Sequence, residues 1–174
     1  MTKKFLQKKF IILYVCLLFI FLYVFFARAK YVVNPQYGIS FNTIYAQELG
    51  LNWKTVYNAI FKELNIKKIR LAAHWNMIEP QKDQFNFVEL DYQVQKAAEH
   101  NAEITLAVGK RLPRWPECHI PEWALNLSPE DQEQRILLYV QTVVERYKQY
   151  DAIKVWQVEN EPFLSMFAKD HCFN

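Results

Sequence analysis

The amino-acid sequence predicts an α/β fold in which parallel strands alternate with helices, preceded by one apolar segment at the N-terminus. Short stretches of β-branched and aromatic residues alternate along the chain with stretches whose apolar residues repeat at helical spacing. Strands that alternate with helices form parallel sheets through right-handed crossovers. A closed barrel and an open doubly wound sheet both satisfy this order. Because no Gly-x-Gly-x-x-Gly sequence follows the first predicted strand, the dinucleotide-binding form of the open sheet is disfavoured.

The N-terminal segment is an uninterrupted apolar run at residues 10–26, FIILYVCLLFIFLYVFF, preceded by four lysines. As a helix it spans roughly 26 Å, close to the ~30 Å hydrocarbon layer of a bilayer, and Ala27 lengthens it. Directly after the run there are only two basic residues, Arg28 and Lys30. The excess of lysines before the run favours a cytoplasmic location of the N-terminus. We predict a transmembrane helix that contacts the membrane through residues 10–27, with a buried core helix as the alternative.

This orientation divides the chain into three parts: a cytoplasmic basic tip with a signal anchor at residues 1–30, a linker at 31–36, and an exported domain at 37–174. Ala27 and Ala29 have the A-x-A spacing of a signal-peptidase site. We therefore expect the exported domain to be membrane-anchored on the extracytoplasmic side or, if cleavage follows Ala29, secreted.

The composition excludes disorder and gives no sign of nucleic-acid binding. Hydrophobic residues make up 52% of the chain and aromatic residues 16%, which is too apolar for a disordered protein. The net charge of +3 comes from the N-terminal segment: six of the 21 basic residues and none of the 18 acidic ones lie in the first thirty positions, which leaves fifteen basic against 18 acidic residues. A mildly acidic domain without a basic stripe predicts no nucleic-acid partner.

Four strands and three helices are predicted in the exported domain. The strands are expected at residues 37–42, 67–75, 102–110 and 154–158, and the helices at 53–64, from 87 to about 100, and from 129 onwards. In the second strand Arg70, Ala72 and His74 share one side by strand parity. We expect the apolar residues between them to face the helices, and Arg70 and His74 to point into the barrel. The third helix has an N-cap at Ser128 and proline at its first position.

The fourth strand ends abruptly in Glu159-Asn160-Glu161-Pro162. A strand rich in valine and tryptophan is built for burial on both faces, so polar side chains at its C-terminal end need partners or a function. Pro162 cannot donate to a strand ladder and biases Glu161 to an extended backbone, which predicts a strand tip in a cleft. A partly desolvated carboxyl group at Glu161 can donate a proton, and Asn160 can bind a substrate hydroxyl.

Two stretches resemble the (β/α)8 glycoside hydrolases of families 5, 10, 39 and 42. WQVENEP at residues 156–162 is similar to their fourth-strand motif, and Trp-x-x-Ile-Glu-Pro followed by Phe-x-Phe at residues 75–87 is similar to the region after their second strand. Those families usually have a glycine where this chain has Gln84. The resemblance implies a TIM-type barrel without a cofactor, with Glu161 as the general acid/base and Asn160 at the sugar 2-hydroxyl.

The resemblance also implies further substrate-binding residues. The strand-two arginine that orients the nucleophile in family 5 matches Arg70, for which a buried ion pair with Glu159 or Glu161 is the alternative. Five residues on loops at the catalytic end are further candidates for sugar contact: His74, Trp75, Trp115, His119 and Trp123. Aromatic faces stack on sugar rings, but tryptophan also fills ordinary cores.

The sequence covers only the first half of such a barrel. A (β/α)8 barrel needs about 250 residues, and the nucleophile of the families it resembles lies at the end of the seventh strand. Only Glu79 and Glu159 lie near enough in topology to substitute for it. We therefore expect about four β/α units, inactive in isolation, with the C-terminal half supplied by a partner or lost from a truncated reading frame.

Cys118 and Cys172 lie in the exported domain, where an oxidising compartment would allow a disulfide between them. The neighbouring His119 and His171 invite a zinc interpretation. Neither a Cys-x-x-Cys nor a His-x-x-x-His spacing is present, so no metal is predicted.

The leading functional hypothesis is a glycosidase that hydrolyses O-glycosyl bonds of oligo- or polysaccharides, with carbohydrate as its partner. The alternative is a non-catalytic, membrane-anchored envelope protein that binds glycan or pairs with another chain. A redox or zinc protein built on the two exported cysteines is the third.

Overall fold

The computed structural model describes residues 2–27, 36–114 and 117–164. The chain forms two compact units, Met1–Gln36 and Tyr37–Asn174. In the first unit, α1 (Thr2–Ala27) is a helix of 26 residues, and Cys16 within it is a free, exposed thiol. In the portion of the chain with described positions, we find no helix whose length and apolarity suffice to cross a bilayer. The predicted transmembrane helix therefore has no support from the structure.

The second unit contains a four-stranded, fully parallel sheet whose strands pair in chain order. The strands are β1 (Ile39–Ser40), β2 (Lys68–His74), β3 (Glu103–Gly109) and β4 (Ile153–Val158). The helices are α2 (Thr43–Glu48), α3 (Trp53–Lys62), α4 (Trp75–Ile78), α5 (Val88–Glu99) and α6 (Pro129–Tyr147), with a short 3-10 helix at Glu122–Ala124. Alternating strands and helices with sequential parallel pairing confirm the predicted α/β class.

Helices α3 and α6 each begin after a polar N-cap residue whose side chain accepts a hydrogen bond from the first helical turn. Ser128 Oγ accepts a hydrogen bond from the Asp131 amide at 3.1 Å, and Pro129 occupies the first helical position of α6. Asn52 caps α3 in the same way, accepting from the Thr55 amide at 3.1 Å. These side chains satisfy amides that have no partner inside the helix, so the starts of α3 and α6 follow from local sequence.

The two faces of β2 follow the predicted parity. Ile69, Leu71 and Ala73 are buried against the helices, whereas Arg70 and Ala72 are half-buried on the opposite face. The core between sheet and helices is completed by large side chains that are almost fully excluded from solvent: Tyr57, Trp75, Val94, Leu106, Tyr139, Val143 and Tyr147. The Tyr139 hydroxyl donates to the Ala73 carbonyl at 2.6 Å, which ties α6 to β2.

The prediction that β4 is buried on both faces is wrong for the described part of the chain. Val155 is 50% exposed and Val158 is 63% exposed. The reason is topological: β4 pairs with β3 on one side, and no described strand lies on its other side. Val155 and Val158 therefore face solvent, although such residues suit a strand in the interior of a sheet. Ile153 and Trp156 of the same strand are partly buried against the core.

Candidate active site

The C-terminal ends of the parallel strands meet at one edge of the sheet, and the predicted site residues lie there. β2 ends at His74, β3 at Gly109 and β4 at Val158, with His74 paired with Gly109 and Val108 paired with Val158 in the sheet register. Parallel α/β sheets place their binding sites at this edge. The segments that follow these strands therefore form the candidate site.

Glu159, the first residue after β4, anchors its side chain on the end of β3. Its Oε1 accepts from the Lys110 amide at 2.9 Å and its Oε2 from the Arg111 amide at 2.6 Å. Burial raises the pKa of this carboxyl group, and the two amides with the neighbouring positive charges of Lys110 and Arg111 oppose the rise. The carboxyl group is thus held by backbone donors in a mostly buried position.

Arg111 and Glu117 brace the segment that carries Asn160 and Glu161. Arg111 Nε donates to Glu117 Oε2 at 2.8 Å, and Arg111 Nη1 donates to the Glu161 carbonyl at 2.8 Å and to the Leu164 carbonyl. The other Glu117 oxygen, Oε1, accepts from Asn160 Nδ2 at 2.8 Å. This nearly buried ion pair connects the loop after β3 to the segment after β4.

Asn160 is engaged by the protein on both ends of its amide. Besides the bond to Glu117, its Oδ1 accepts from Gln157 Nε2 at 3.2 Å. Its backbone amide donates to the Arg111 carbonyl at 2.8 Å. In this arrangement the side chain holds the strand end, and contact with a sugar hydroxyl stays a prediction.

Glu161 carries an exposed carboxylate that accepts no hydrogen bond from the described residues. Its backbone has φ 49°, and Glu159 has φ 61°, so both lie in the left-handed region. The extended conformation expected for Glu161 is therefore wrong, because the chain turns sharply at Asn160 instead of continuing the strand. The expected partial desolvation is also absent, since no described strand beyond β4 covers this carboxylate.

Arg70 lies on the inner face of the sheet and links β1 to β4. Its Nε donates to Ser40 Oγ at 2.9 Å, and its Nη1 lies 3.5 Å from Gln157 Oε1. The alternative, an ion pair with Glu159 or Glu161, is not seen among the described residues, and the Glu159 carboxylate accepts instead from the Lys110 and Arg111 amides that follow β3. Arg70 instead reaches the site indirectly, through the Gln157 side chain that bonds Asn160.

His74 and His119 form a buried imidazole pair. Their rings meet edge to face with centroids 4.3 Å apart, and Asn42 Nδ2 lies 3.3 Å from His74 Nε2. Burial, with the nearby His119, lowers the pKa of His74 to about 3, and burial lowers the pKa of His119 to about 4. Both rings are therefore neutral at pH 7.

Trp75 belongs to the core in this structure. It is fully buried, stacks on Tyr139, meets Trp123 edge to face, and donates from Nε1 to Glu79 Oε2 at 2.8 Å. Neither face of its indole is open to a sugar ring, which favours the core-packing alternative. The second predicted tryptophan, Trp115, lies outside the described residues.

Glu79, the carboxylate of the Ile-Glu-Pro turn, is a buried structural residue. Its Oε1 accepts from the Asp83 amide at 2.9 Å and from Arg135 Nη2 at 2.5 Å, in addition to the Trp75 bond. Three donors account for this carboxylate, so it holds the loop after β2 and is not available as a nucleophile.

Of the two cysteines in the second unit, Cys118 is among the described residues. Cys118 packs against the core and is a disulfide cysteine, whereas Cys172 lies outside the described residues, so their pairing stays a prediction. Among the residues with described positions, no cluster of three histidine, cysteine, aspartate or glutamate side chains has the geometry to hold a metal ion.

Sequence reasoning missed three residues of the site: Gly109, Arg111 and Glu117. The first offered a signal, since a glycine directly after an apolar strand often marks a close approach by another group. The bond between Glu117 and Asn160 joins residues 43 positions apart, and no local pattern announces it.

The sequence model of glycosyl hydrolase family 10 matches residues 31–171. The β-galactosidase LacZ of Lactobacillus acidophilus is 27% identical over 120 residues, which are 59% of this chain and 18% of that protein. The chain thus spans about a fifth of the length of this curated relative.

Solved structures show the same fold at low identity. The exo-β-1,4-mannosidase Op5Man5 from the Opitutaceae bacterium strain TAV5 aligns with TM-score 0.59 and 13% identity, covering 74% of this chain and 25% of the other. An endo-β-1,4-xylanase of family 10 from Gloeophyllum trabeum aligns with TM-score 0.55 and 20% identity, covering 75% and 39%. The predicted TIM-barrel-like glycosidase fold is confirmed, and the family match decides among the four families that the motifs left open. The chain belongs to glycosyl hydrolase family 10.

Proposed function

We propose that this chain is the N-terminal part of a glycoside hydrolase barrel that cleaves O-glycosyl bonds of oligo- or polysaccharides, with Glu161 as the general acid/base. One observation carries the assignment: Glu161 is the carboxylate at the end of β4 that no described protein group engages, while Glu79, Glu117 and Glu159 are each bound by protein donors. A carboxylate left open among bound ones is available to a substrate.

In this proposal Glu161 first donates a proton to the leaving glycosidic oxygen and then takes one from the attacking water. A retaining mechanism needs a second carboxylate at roughly 5 to 5.5 Å. Both oxygens of Glu159 already accept backbone hydrogen bonds, so Glu159 is a poor nucleophile. The nucleophile would come from the strands that complete the barrel.

The open side of β4 is where we propose that those strands join. Val155 and Val158 of β4 are 50% and 63% exposed, and Phe163 beyond the strand is 99% exposed. Unpaired strand edges with exposed apolar residues invite pairing with another segment. Sequencing the genomic region around this coding sequence tests the idea: a reading frame with four more β/α units and a glutamate after the seventh strand supports it, and a region without one refutes it.

Glu161→Gln tests the acid/base assignment, with Glu122→Gln as a matched surface control. In the complete barrel, hydrolysis of an unactivated glycoside should fall roughly 10²- to 10⁴-fold in Glu161→Gln, because the proton donor is lost. Glu122 is an exposed residue at the start of the 3-10 helix, and its variant should keep the wild-type rate. An unchanged rate in Glu161→Gln would refute the assignment.

The second candidate function, glycan binding without hydrolysis, is favoured by the absence of a second uncommitted carboxylate near Glu161 among the described residues. Pull-down on insoluble polysaccharide separates the two. Binding by wild type and by Glu161→Gln, with no soluble sugar released by either, supports a binding protein.

We further propose that residues 10–27 attach the chain to a membrane, with unit Tyr37–Asn174 on the extracytoplasmic side, or secreted if cleavage follows Ala29. The support is the charge-free apolar run with lysines before it and the exposure of its described side chains. Alkaline carbonate extraction and N-terminal sequencing of the cellular protein test this. A soluble, uncleaved protein contradicts both forms.

A further inference from the structure

Gly109 at the end of β3 leaves a slot that the Glu159 carboxyl group fills. A Cβ atom built on Gly109 would lie 2.4 Å from Glu159 Cδ, and 2.5 and 2.7 Å from its two oxygens. Contacts below 3.0 Å are not found for real Cβ atoms. No other residue type at position 109 is therefore compatible with the observed place of this carboxylate.

The slot also supplies the carboxylate with its partners. The Lys110 and Arg111 amides, directly after Gly109, each donate to one oxygen of Glu159. Two converging amides stabilise a charged carboxylate in a position that burial alone would disfavour. The Glu159 side chain is thus fixed at the C-terminal end of β3, the strand next to its own.

The backbone around Glu159 needs such an external anchor. Glu159 and Glu161 both have left-handed φ, at 61° and 49°, in a region that non-glycine residues adopt rarely. Strained conformations of this kind persist only where the surrounding structure determines them. Asn160 lies between the two, so the whole turn that presents Glu161 depends on contacts outside itself.

We propose that Glu159 is a positioning residue for Glu161: docked in the Gly109 slot, it holds the turn at residues 159–161 in the one conformation that aims the Glu161 carboxylate into the site. This inference rests on the proposed function of Glu161. Arg111, paired with Glu117, holds the C-terminal end of this turn by donating to the Glu161 carbonyl. The docked Glu159 side chain holds the N-terminal end.

Gly109→Ala tests the docking without altering Glu159 itself. The added methyl group displaces the carboxylate, and the Lys110 and Arg111 amides lose their acceptor. We expect their hydrogen exchange, followed by NMR, to accelerate at least tenfold. Gly50→Ala is the matched control: Gly50 also has positive φ, at 71°, but nothing lies within 4 Å of the place that an added methyl group would take, so the change adds backbone strain without displacing the carboxylate.

The Leu164 amide reports on the Glu161 turn directly, since it donates to the Glu161 carbonyl at 2.9 Å. We expect its exchange to accelerate in Gly109→Ala and in Glu159→Ala, and to stay at the wild-type rate in Gly50→Ala. If the Lys110 and Arg111 amides lose protection while Leu164 keeps it, Glu159 docks but does not position the turn, and the inference is overturned.

Kinetics of the complete barrel supply the functional test. A misplaced acid/base costs rate more than binding, so Gly109→Ala and Glu159→Ala should each lower kcat roughly 10- to 100-fold with KM within about twofold. The double variant should be no slower than Glu159→Ala, because the displaced group is already gone. The inference is overturned if the two single-variant losses in kcat multiply in the double variant, or if kcat is unchanged in Glu159→Ala.

Failure of the proposed function looks different. If wild type hydrolyses no glycoside but the exchange pattern of the three amides is as expected, the hydrolase assignment fails while the docking and its effect on the turn stand. If wild type is active and the exchange pattern is absent, the positioning inference alone fails.

Discussion

The buried imidazole pair of His74 and His119 predicts a loss of stability on mild acidification. Both rings are neutral in the folded state, with pKa values of about 3 and about 4, whereas an exposed histidine in the unfolded chain titrates near 6.5. Between these values the unfolded chain binds protons that the folded chain does not. Stability from the neutral pair is therefore fully present above about pH 6.5 and declines as pH falls towards 4.

The magnitude follows from the pKa differences. From pH 7 to pH 5 each histidine should cost about 2 kcal/mol, and the pair about 4 kcal/mol, at 1.36 kcal/mol per pH unit. Two carboxyl groups with shifted pKa values also contribute to the pH dependence. Burial raises the pKa of Asp91, but hydrogen bonds from Arg146 and Tyr147 outweigh it and lower the pKa below its ordinary value of 3.8, so its effect comes at lower pH. Burial raises the pKa of Glu159, so this group acts in the opposite direction, near the acid end of the range.

Urea denaturation at pH 7, 6 and 5 measures the effect. With a urea m-value of about 1 to 3 kcal/mol per molar, the unfolding midpoint should fall by roughly 1 to 4 M between pH 7 and pH 5. His119→Gln should remove about half of this dependence, because one titrating ring is gone. His100→Gln at the end of α5 controls for loss of a histidine in general. A midpoint that does not move between pH 7 and pH 5 would refute the buried, neutral pair.

Two further predictions concern the framework of the site, both measured by urea or thermal unfolding. Glu79→Gln should destabilise the domain by about 3 to 5 kcal/mol, because it breaks a buried ion pair and leaves Arg135 with only the exposed Asp83 carboxylate as a charged partner. Asp83→Asn, at the 63% exposed end of the same network, should cost less than about 1 kcal/mol, and equal losses would contradict the burial argument. Ser128→Ala should cost about 1 kcal/mol and roughly 2 to 4 °C in Tm by removing the N-cap of α6; no change would mean that the cap contributes nothing.

The elements that local sequence determines were predicted well. The second strand was expected at residues 67–75 and is Lys68–His74; the third helix was expected from Pro129 and begins there. Strand parity in β2 and capping by Ser128 depend on neighbours in the chain, which the sequence displays directly. α2 and α4 were missed because, at six and four residues, they are too short to show a helical repeat.

The environment of each site residue depends instead on partners far along the chain. The sequence assigned partial burial to Glu161 at the end of the fourth strand, whereas the less exposed carboxylate there is that of Glu159. The difference arises at Gly109, where a missing side chain 50 positions upstream creates the slot. Similarly, Trp75 and Trp123 are both loop tryptophans that look alike in the sequence. Only the packing of α6 in the structure shows that Tyr139 stacks on Trp75 and encloses it.

The exposure of Glu161 bears on how the complete site would work. A general acid in a glycosidase acts in a desolvated cleft, where its proton is retained until the glycosidic oxygen arrives. The ends of β3 and β4 hold the backbone of the Glu161 turn through Gly109 and Arg111. The described strands do not cover the Glu161 carboxylate, which is exposed. Orientation and desolvation are thus separable here: the first comes from contacts of the β3 and β4 ends, and under the proposed function the second would come from strands that join the open side of β4. It follows that a chain lacking those strands would retain the geometry of the turn without the environment that makes Glu161 an acid, which is why amide exchange and hydrolysis must be measured independently.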